Sequence, residues 1–174
     1  VNYYIEDDNI AGISLYSYRL SESVNRPFIP LQDDCDVYFM QVPSSWGQIW
    51  TKRQWAQFRE WYDKNQIQEV EFKNRVPSNV HAWPKTSWKK FFYYYIIEMN
   101  KYIVYPRVGL STNMGEIGTH FKVPYRDYQA ILMGEFNRDY LFKNVKDSIA
   151  VYDAFFENER IAKEFNYDDP ITVD

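Results

Sequence analysis

The chain has 174 residues, 45% hydrophobic and 20% aromatic, with a formal net charge of −4 and an isoelectric point near 5.3. That length suits one domain, or a piece of a larger one, with room for a real core. The acidic balance argues against a nucleic-acid binder; the single Cys35 excludes an internal disulfide, and no Cys/His spacing suits a structural zinc, so a reducing compartment is expected.

The aromatic content is the anomaly, at 16 Tyr, 12 Phe and 6 Trp. Tyrosine and tryptophan need a polar partner for one edge even when mostly buried, and such rings line sugar sites as readily as cores. The longest apolar run, Phe91 to Ile97, is too short to span a membrane. The opening residues are tyrosine-rich and acidic, unlike a signal peptide, so the chain reads as soluble.

In chain order, Glu6-Asp7-Asp8 has two readings: an acidic cluster for a hard divalent cation, or a helix end and turn. Asn9 to Tyr16 reads as a buried strand. Ser17 to Asp36, with Pro27 and Pro30, reads as a long excursion. Asp36 to Val42 is the next strand, closed by Pro43 and a Ser44-Ser45-Trp46-Gly47 turn that lets the Trp46 ring serve as a wall for a flat sugar face. Thr51-Lys52-Arg53-Gln54 has the form of a capping box, and Trp55, Phe58, Trp61 and Tyr62 follow at helical spacing, predicting an amphipathic helix that ends near Asn65 with its rings in the core.

Val70 to Val80 commits to neither period. Thr86 or Ser87 can cap a helix whose apolar face is Trp88, Phe91, Phe92, Tyr95, Ile96 and Met99. Lys89 and Lys90 in its first turn oppose the helix dipole, so they are solvated or compensated by an anion. Tyr102 to Pro106 reads as a strand that delivers a polar loop from Arg107 to Phe121, with Gly109, Gly115 and Gly118 among Ser111, Thr112, Asn113, Thr119 and His120. This loop is either a cover for a polar ligand or a surface connection. Phe121 to Pro124 reads as a short strand and Tyr125 to Phe136 as mixed. Ser148 to Phe165 suits a helix, although Ile149 to Tyr152 also suits a strand. Asp168-Asp169-Pro170 is a turn, and Ile171 to Val173 starts a further strand.

Three stretches, Pro43-Ser44-Ser45-Trp46-Gly47-Gln48-Ile49-Trp50, Ser87-Trp88-Lys89-Lys90 and Tyr105 to Phe121, stand in an order and spacing that resembles the later part of family 2 bacterial glycosyltransferases of polysaccharide biosynthesis. A more distant similarity is to N-acetylglucosaminyltransferase I, which shares the GT-A fold of nucleotide-sugar transferases. The likeness spans about residues 1 to 130. It implies an α/β fold, the C-terminal half of a GT-A nucleotide-diphospho-sugar transferase, with a mixed sheet and flanking helices. Residues 1–174 would be the acceptor and lid portion, with the nucleotide-binding portion missing and the fragment inactive alone.

The full-length enzyme is then expected to be a hexosyltransferase-like protein. It would transfer a sugar from a nucleotide-diphosphate sugar to a polysaccharide or lipid-linked glycan acceptor, with Mn or Mg as cofactor. The resemblance puts Ser45, Trp46 and Gly47 at the border of the sugar site and Trp88 beside the reacting centre. Ser111, Thr112, Asn113, Gly118, Thr119 and His120 close over the diphosphate, and His120 is either a metal or phosphate ligand or a hydrogen-bonded loop histidine. Where the Golgi enzyme carries an acidic pair between two tryptophans, this chain has Trp88-Lys89-Lys90-Phe91, so Lys89 is expected to hold a phosphate or acceptor anion. Asp33, Asp34 and Asp36 are then the candidates for a catalytic base. A cytoplasmic location follows, with the inner face of the membrane as an alternative, and a homodimer through unpaired sheet edges is a further expectation. The reading from a different class is a non-catalytic, aromatic-rich carbohydrate-binding module.

Overall fold

The computed structural model describes residues 2–22, 24–65, 72, 74–117, 127–134 and 139–164. Within them the elements are β1 (Ile10–Ser14), β2 (Leu20–Ser21), β3 (Arg26–Pro27), β4 (Val37–Met40), β5 (Gln48–Ile49), α1 (Lys52–Asn65), α2 (Ser78–His81), α3 (Trp88–Glu98), β6 (Tyr102–Pro106), β7 (Val151–Tyr152) and α4 (Glu159–Glu164). Single 3-10 turns stand at Asn2–Tyr4 and Val145–Asp147. The expected strand at 121–124, the turn at 168–170 and the strand at 171–173 lie outside the described residues, as do Gly118, Thr119 and His120.

The chain is α/β, a five-stranded mixed sheet flanked by helices, in the order β5-β1-β6-β4-β7. The β-branched and aromatic run Tyr102–Pro106 forms its central strand, buried at every residue. A strand covered on both faces needs no alternation, which is why β6 reads as one apolar run. β1 lies parallel to β6, while β4 is antiparallel to β6 and β5 to β1. β7 pairs parallel with β4.

One face of the sheet carries α1 and α3. Tyr38, Met40, Ile103 and Tyr105 meet Phe58 and Trp61 of α1 and the run Phe91 to Ile96 of α3. α3 is buried around its whole circumference from Phe91 to Ile96, more than the one face its spacing predicts. The Thr51 capping box forms as expected: Thr51 N–H donates to Gln54 Oε1 at 3.0 Å and Gln54 N–H to Thr51 Oγ1 at 3.1 Å. Ile10, Val37, Phe39, Tyr102, Val104 and Val151 point to the opposite face, where Tyr4 and Cys35 cover them.

β1 does not alternate regularly. Ile10 pairs with Tyr102 and Gly12 with Ile103, so Ala11 is an extra residue in the ladder. The bulge places Ile10 and Ile13, three positions apart, on the same face, and turns Gly12 and Ser14 toward the helices.

The tyrosines resolve the compositional anomaly. Several of their rings fill the core while their hydroxyls reach out to fasten loops. Tyr16 donates to the Tyr128 carbonyl at 2.8 Å, Tyr4 to that of Lys143 at 2.7 Å, and Tyr105 to that of Val42. Tyr38 and Tyr152 hydroxyls accept from Tyr18 N–H and Leu31 N–H at 2.9 and 2.7 Å. The excursion from Ser17 to Asp36 is held this way and contains the β2–β3 hairpin. Ser148 to Phe165 holds both alternatives: β7, a turn at Asp153, then α4. Among the described residues no helix is long and apolar enough to cross a membrane.

Candidate functional site

β1 and β6 run in parallel, so the segments that leave them emerge at one end of the sheet, where open α/β sheets place ligands. Leu15 joins those segments. Its N–H donates to the Gly47 carbonyl at 2.9 Å, and its carbonyl accepts from Leu110 and Ser111 N–H at 2.7 and 3.0 Å. Ser14 Oγ donates to the Trp46 carbonyl at 3.1 Å, and Ser44 Oγ accepts from Trp46 N–H at the same distance. Gly47 has φ +64°. A Cβ there would come within 2.6 Å of Ser111 Oγ and 2.7 Å of Leu15 Cβ, so the Trp46–Gly47 turn and the Ser111 loop are in direct contact.

The Trp46 ring packs between Tyr16 and Tyr128, with centroids at 4.8 and 5.5 Å, and Ser45 is exposed beside it. Thr112 Oγ1 accepts from Ala130 N–H at 2.7 Å and Asn113 Oδ1 from Gly115 N–H at 2.8 Å. Both side chains thus hold the loop's own shape. Ser111 Oγ is different: it is buried without a hydrogen-bond partner among the described residues.

The start of α3 carries the remaining described residues of the expected site. Ser87 Oγ accepts from Lys90 N–H, which settles the cap. Lys90 Nζ turns back and donates to the carbonyls of His81 and Trp83 at 2.6 and 2.8 Å, satisfying carbonyls at the end of α2. Lys89 Nζ lies 5.4 Å from the centre of the Trp83 ring. Burial pulls its pKa below the ordinary lysine value, and the Glu22 carboxylate pushes the other way. Glu22 is thus the anion within electrostatic reach of the first turn.

Trp88, 40% exposed, meets Trp50 edge-on at 5.6 Å, and Trp50 packs in turn on Trp55 at 4.9 Å and Phe92 at 5.6 Å. Trp50 lies over Gly12, where a Cβ would stand 3.1 Å from its Nε1. Gln48 pairs with Ser14 across β5 and β1, which directs it to the same face as Trp50, two residues on. Both amide atoms of Gln48 and the Trp50 indole nitrogen are buried and unpartnered among the described residues.

The chain matches no protein-family model, no curated protein and no solved structure. Its resemblance to nucleotide-sugar transferases therefore rests on its own residues.

Of the residues expected at the site, Ser45, Trp46, Gly47, Ser111, Thr112 and Asn113 come together around Leu15. Trp88 instead meets Trp50, which lies over Gly12 of β1, and Lys89 lies toward Glu22. The expectation omitted Gln48, Trp50, Glu22, Tyr16 and Tyr128. The available signal was period two after Gly47, which puts Gln48 and Trp50 on one face if the stretch is a strand.

The acidic candidates serve other contacts. Asp33, whose side chain is 5% exposed, accepts from Lys143 Nζ at 2.6 Å, Ser148 Oγ at 2.8 Å and Ile149 N–H at 3.1 Å. Burial alone would raise its pKa, but these bonds and one from Asp34 hold it well below the ordinary carboxylate range, where a carboxylate is a poor base. Asp34 pairs with the same ammonium. Asp36 Oδ2 accepts from Leu141 N–H at 2.9 Å. Glu6 and Asp8 both pair with Arg53 of α1, and Asp7 accepts from Asn9 N–H, so this triplet follows the turn reading. Among the described residues no three His, Cys, Asp or Glu converge as ligands for the divalent ion that the resemblance implies.

Proposed function

We propose that this chain is the acceptor and lid portion of a GT-A glycosyltransferase, moving a sugar from a nucleotide-diphosphate sugar to a polysaccharide or lipid-linked glycan acceptor. One observation carries the reading. The Trp46–Gly47 turn and the Ser111 loop are far apart in sequence, and they meet where two parallel strands, β1 and β6, end. The loop tied by Leu15 and Ala130 beside that turn supports this reading, because a loop that covers an activated sugar keeps out the water whose attack competes with transfer.

The test is titration of the full-length protein with UDP-, GDP- and dTDP-sugars in the presence of Mn or Mg. Binding with turnover of at least one donor is expected, and neither across the set overturns the proposal. Exposure of Trp55 and Trp88 on either side of Trp50 favours a second reading, a non-catalytic carbohydrate-binding surface. Glycan-array binding by the 174-residue chain, lost in Trp46→Ala and unaccompanied by donor binding in the full-length protein, would select it.

A further inference from the structure

Large apolar side chains that stand together in water on a folded surface mark a contact with something else. Trp55 and Trp88 are 39% and 40% exposed, and Trp50 lies between them, 4.9 Å from the first ring and 5.6 Å from the second. Trp55 belongs to a stripe. Lys52, Trp55, Arg59 and Tyr62 recur at three and four residues, so they share one flank of α1. The head of α3 lies along that flank, because Tyr62 meets Phe91 at 5.2 Å while Trp50 bridges Trp55 to Trp88. Both cations of the stripe are open to a ligand. Lys52 is exposed and has no ion-pair partner among the described residues. Arg59 gives one N–H to Asp63 at 3.3 Å, in a pair exposed on both sides and therefore readily exchanged.

Size and charge narrow the occupant. Two indoles at this exposure present on the order of 200 Å² of apolar surface, against about 800 Å² per partner in a standard protein interface. Among the described residues no exposed leucine or isoleucine belongs to α1 or α3, so the flank has no aliphatic wedge for a bilayer. A nucleic-acid strand calls for a longer basic track than two cations on a chain of net charge −4. The flank offers flat rings and two separated positive charges. Lys52 and Arg59 stand two helical turns apart, about 10 Å along the axis, with Trp55 between them. A ligand that meets all three carries acid groups at intervals with a ring between them. A chain of uronic acids does so: its C–H faces pack on indoles, and each planar carboxylate matches the guanidinium fork of Arg59.

We propose that Trp55 and Trp88, with Lys52 and Arg59 beside them, form a docking surface for a polyuronic glycan chain. This deepens the carbohydrate-surface reading and rests on it for the sugar ring; it adds the charge and does not require that sugar be transferred. Under the transferase reading the docked chain is the acceptor. Trp55→Ala should weaken binding of a tetrauronide about tenfold. Lys52→Gln combined with Arg59→Gln should weaken it about tenfold at low ionic strength, and much less in about 1 M sodium chloride, where charges are screened beyond about 3 Å. Lys52→Gln alone leaves the unfolding midpoint unchanged, because the side chain is exposed and unpaired among the described residues. A structural role for these side chains would move stability and leave the salt dependence of binding alone.

The experiment is calorimetric titration of the full-length protein, wild type, Trp55→Ala, Trp88→Ala and the Lys52→Gln, Arg59→Gln double variant, at low and high salt. The ligands are tetragalacturonate, tetramannuronate, the methyl ester of tetragalacturonate, polyglutamate and phosphatidylglycerol vesicles. Tetrauronide binding that the ester lacks, and that falls in every variant, supports the docking surface. Equal affinity for the ester overturns the proposal and leaves the carbohydrate-surface reading standing. Polyglutamate or vesicles bound as tightly as the tetrauronides, and lost with the same cations, assign the flank to an acidic peptide or a membrane and overturn it. If tetrauronides bind as expected and no nucleotide sugar is turned over, the docking surface stands and the transferase reading falls. If nucleotide sugars are turned over and neither tetrauronide binds, the proposal falls and the transferase reading stands; absence of all binding overturns both. The double variant, which touches no packed ring, decides the matter should the tryptophan variants fail to fold, with unchanged tetrauronide affinity overturning the proposal.

Discussion

Gly47→Ala tests the junction on which the site is built. The glycine has φ +64°, a conformation that costs an L-residue about 1 kcal/mol or more. The new methyl would also meet Ser111 Oγ at 2.6 Å and Leu15 Cβ at 2.7 Å. A hydroxyl can rotate aside, but a Cβ moves only with its backbone. Leu15 is held by its bonds to Gly47, Leu110 and Ser111. Overpacking of this kind costs about 1–3 kcal/mol, so the total is about 2–4 kcal/mol. Equilibrium urea unfolding of wild type, Gly47→Ala, Ser111→Ala and the double variant would measure it. The double variant should recover only the part owed to the serine hydroxyl, since Leu15 Cβ still blocks the methyl. A loss below about 1 kcal/mol in Gly47→Ala, with the slope against urea unchanged, would show that the turn and loop do not meet as described and would refute the reasoning.

Two further predictions concern carboxylates. Burial raises the pKa of Asp153 from 3.8 to about 6, against the opposing bonds it accepts from Glu157 and Phe155 N–H. The folded state holds this proton more tightly than the unfolded one. The associated stability is full below the unfolded value and is lost as pH rises through about 6, an effect of up to about 3 kcal/mol. Asp153→Asn should flatten that part of a melting profile taken from pH 4 to 8; an unchanged slope would exclude Asp153 as its source. Asp33 has the opposite sign, because its folded pKa is lowered: its contribution is complete above the ordinary carboxylate range and lost as pH falls. Asp33→Asn should destabilise the fold by weakening the bonds that Lys143 Nζ, Ser148 Oγ and Ile149 N–H make to this carboxylate, and should shrink the acid-side loss of stability. A variant with normal stability that fails only in sugar transfer would instead restore Asp33 as a candidate base.

What the sequence made legible was whatever is long and locally determined. β6 is a run of five residues of one character, α3 has a cap and a sustained apolar spacing, and α1 announces itself with a reciprocal Thr51–Gln54 cap. β5 was hidden because two residues carry no period, and its existence depends on pairing with β1, more than thirty positions earlier. Gln48 is half-buried through that pairing, and the period-two signal after Gly47 reads only once the stretch is taken for a strand. The Ser148 to Phe165 segment defeated a single choice because the turn at Asp153 divides it into two elements. Composition showed that many tyrosines would need polar partners; which loop each hydroxyl fastens is set by contacts up to 139 residues apart.

The bulge at Ala11 has a consequence for how this chain can change length. Anywhere else in a covered strand, gaining or losing one residue reverses every side chain beyond it, a frameshift in space. At Ala11 the strand already carries its surplus. Without that residue Ile10, Gly12, Ile13 and Ser14 would follow one another in plain alternation, each still facing the side it faces now. The seam lies upstream of Gly12 and Ser14, so β1 could be shortened there while Trp50 kept its seat and the turn its anchor. Chains that diverge from this one are expected to differ by a residue at this position sooner than at any other in the strand.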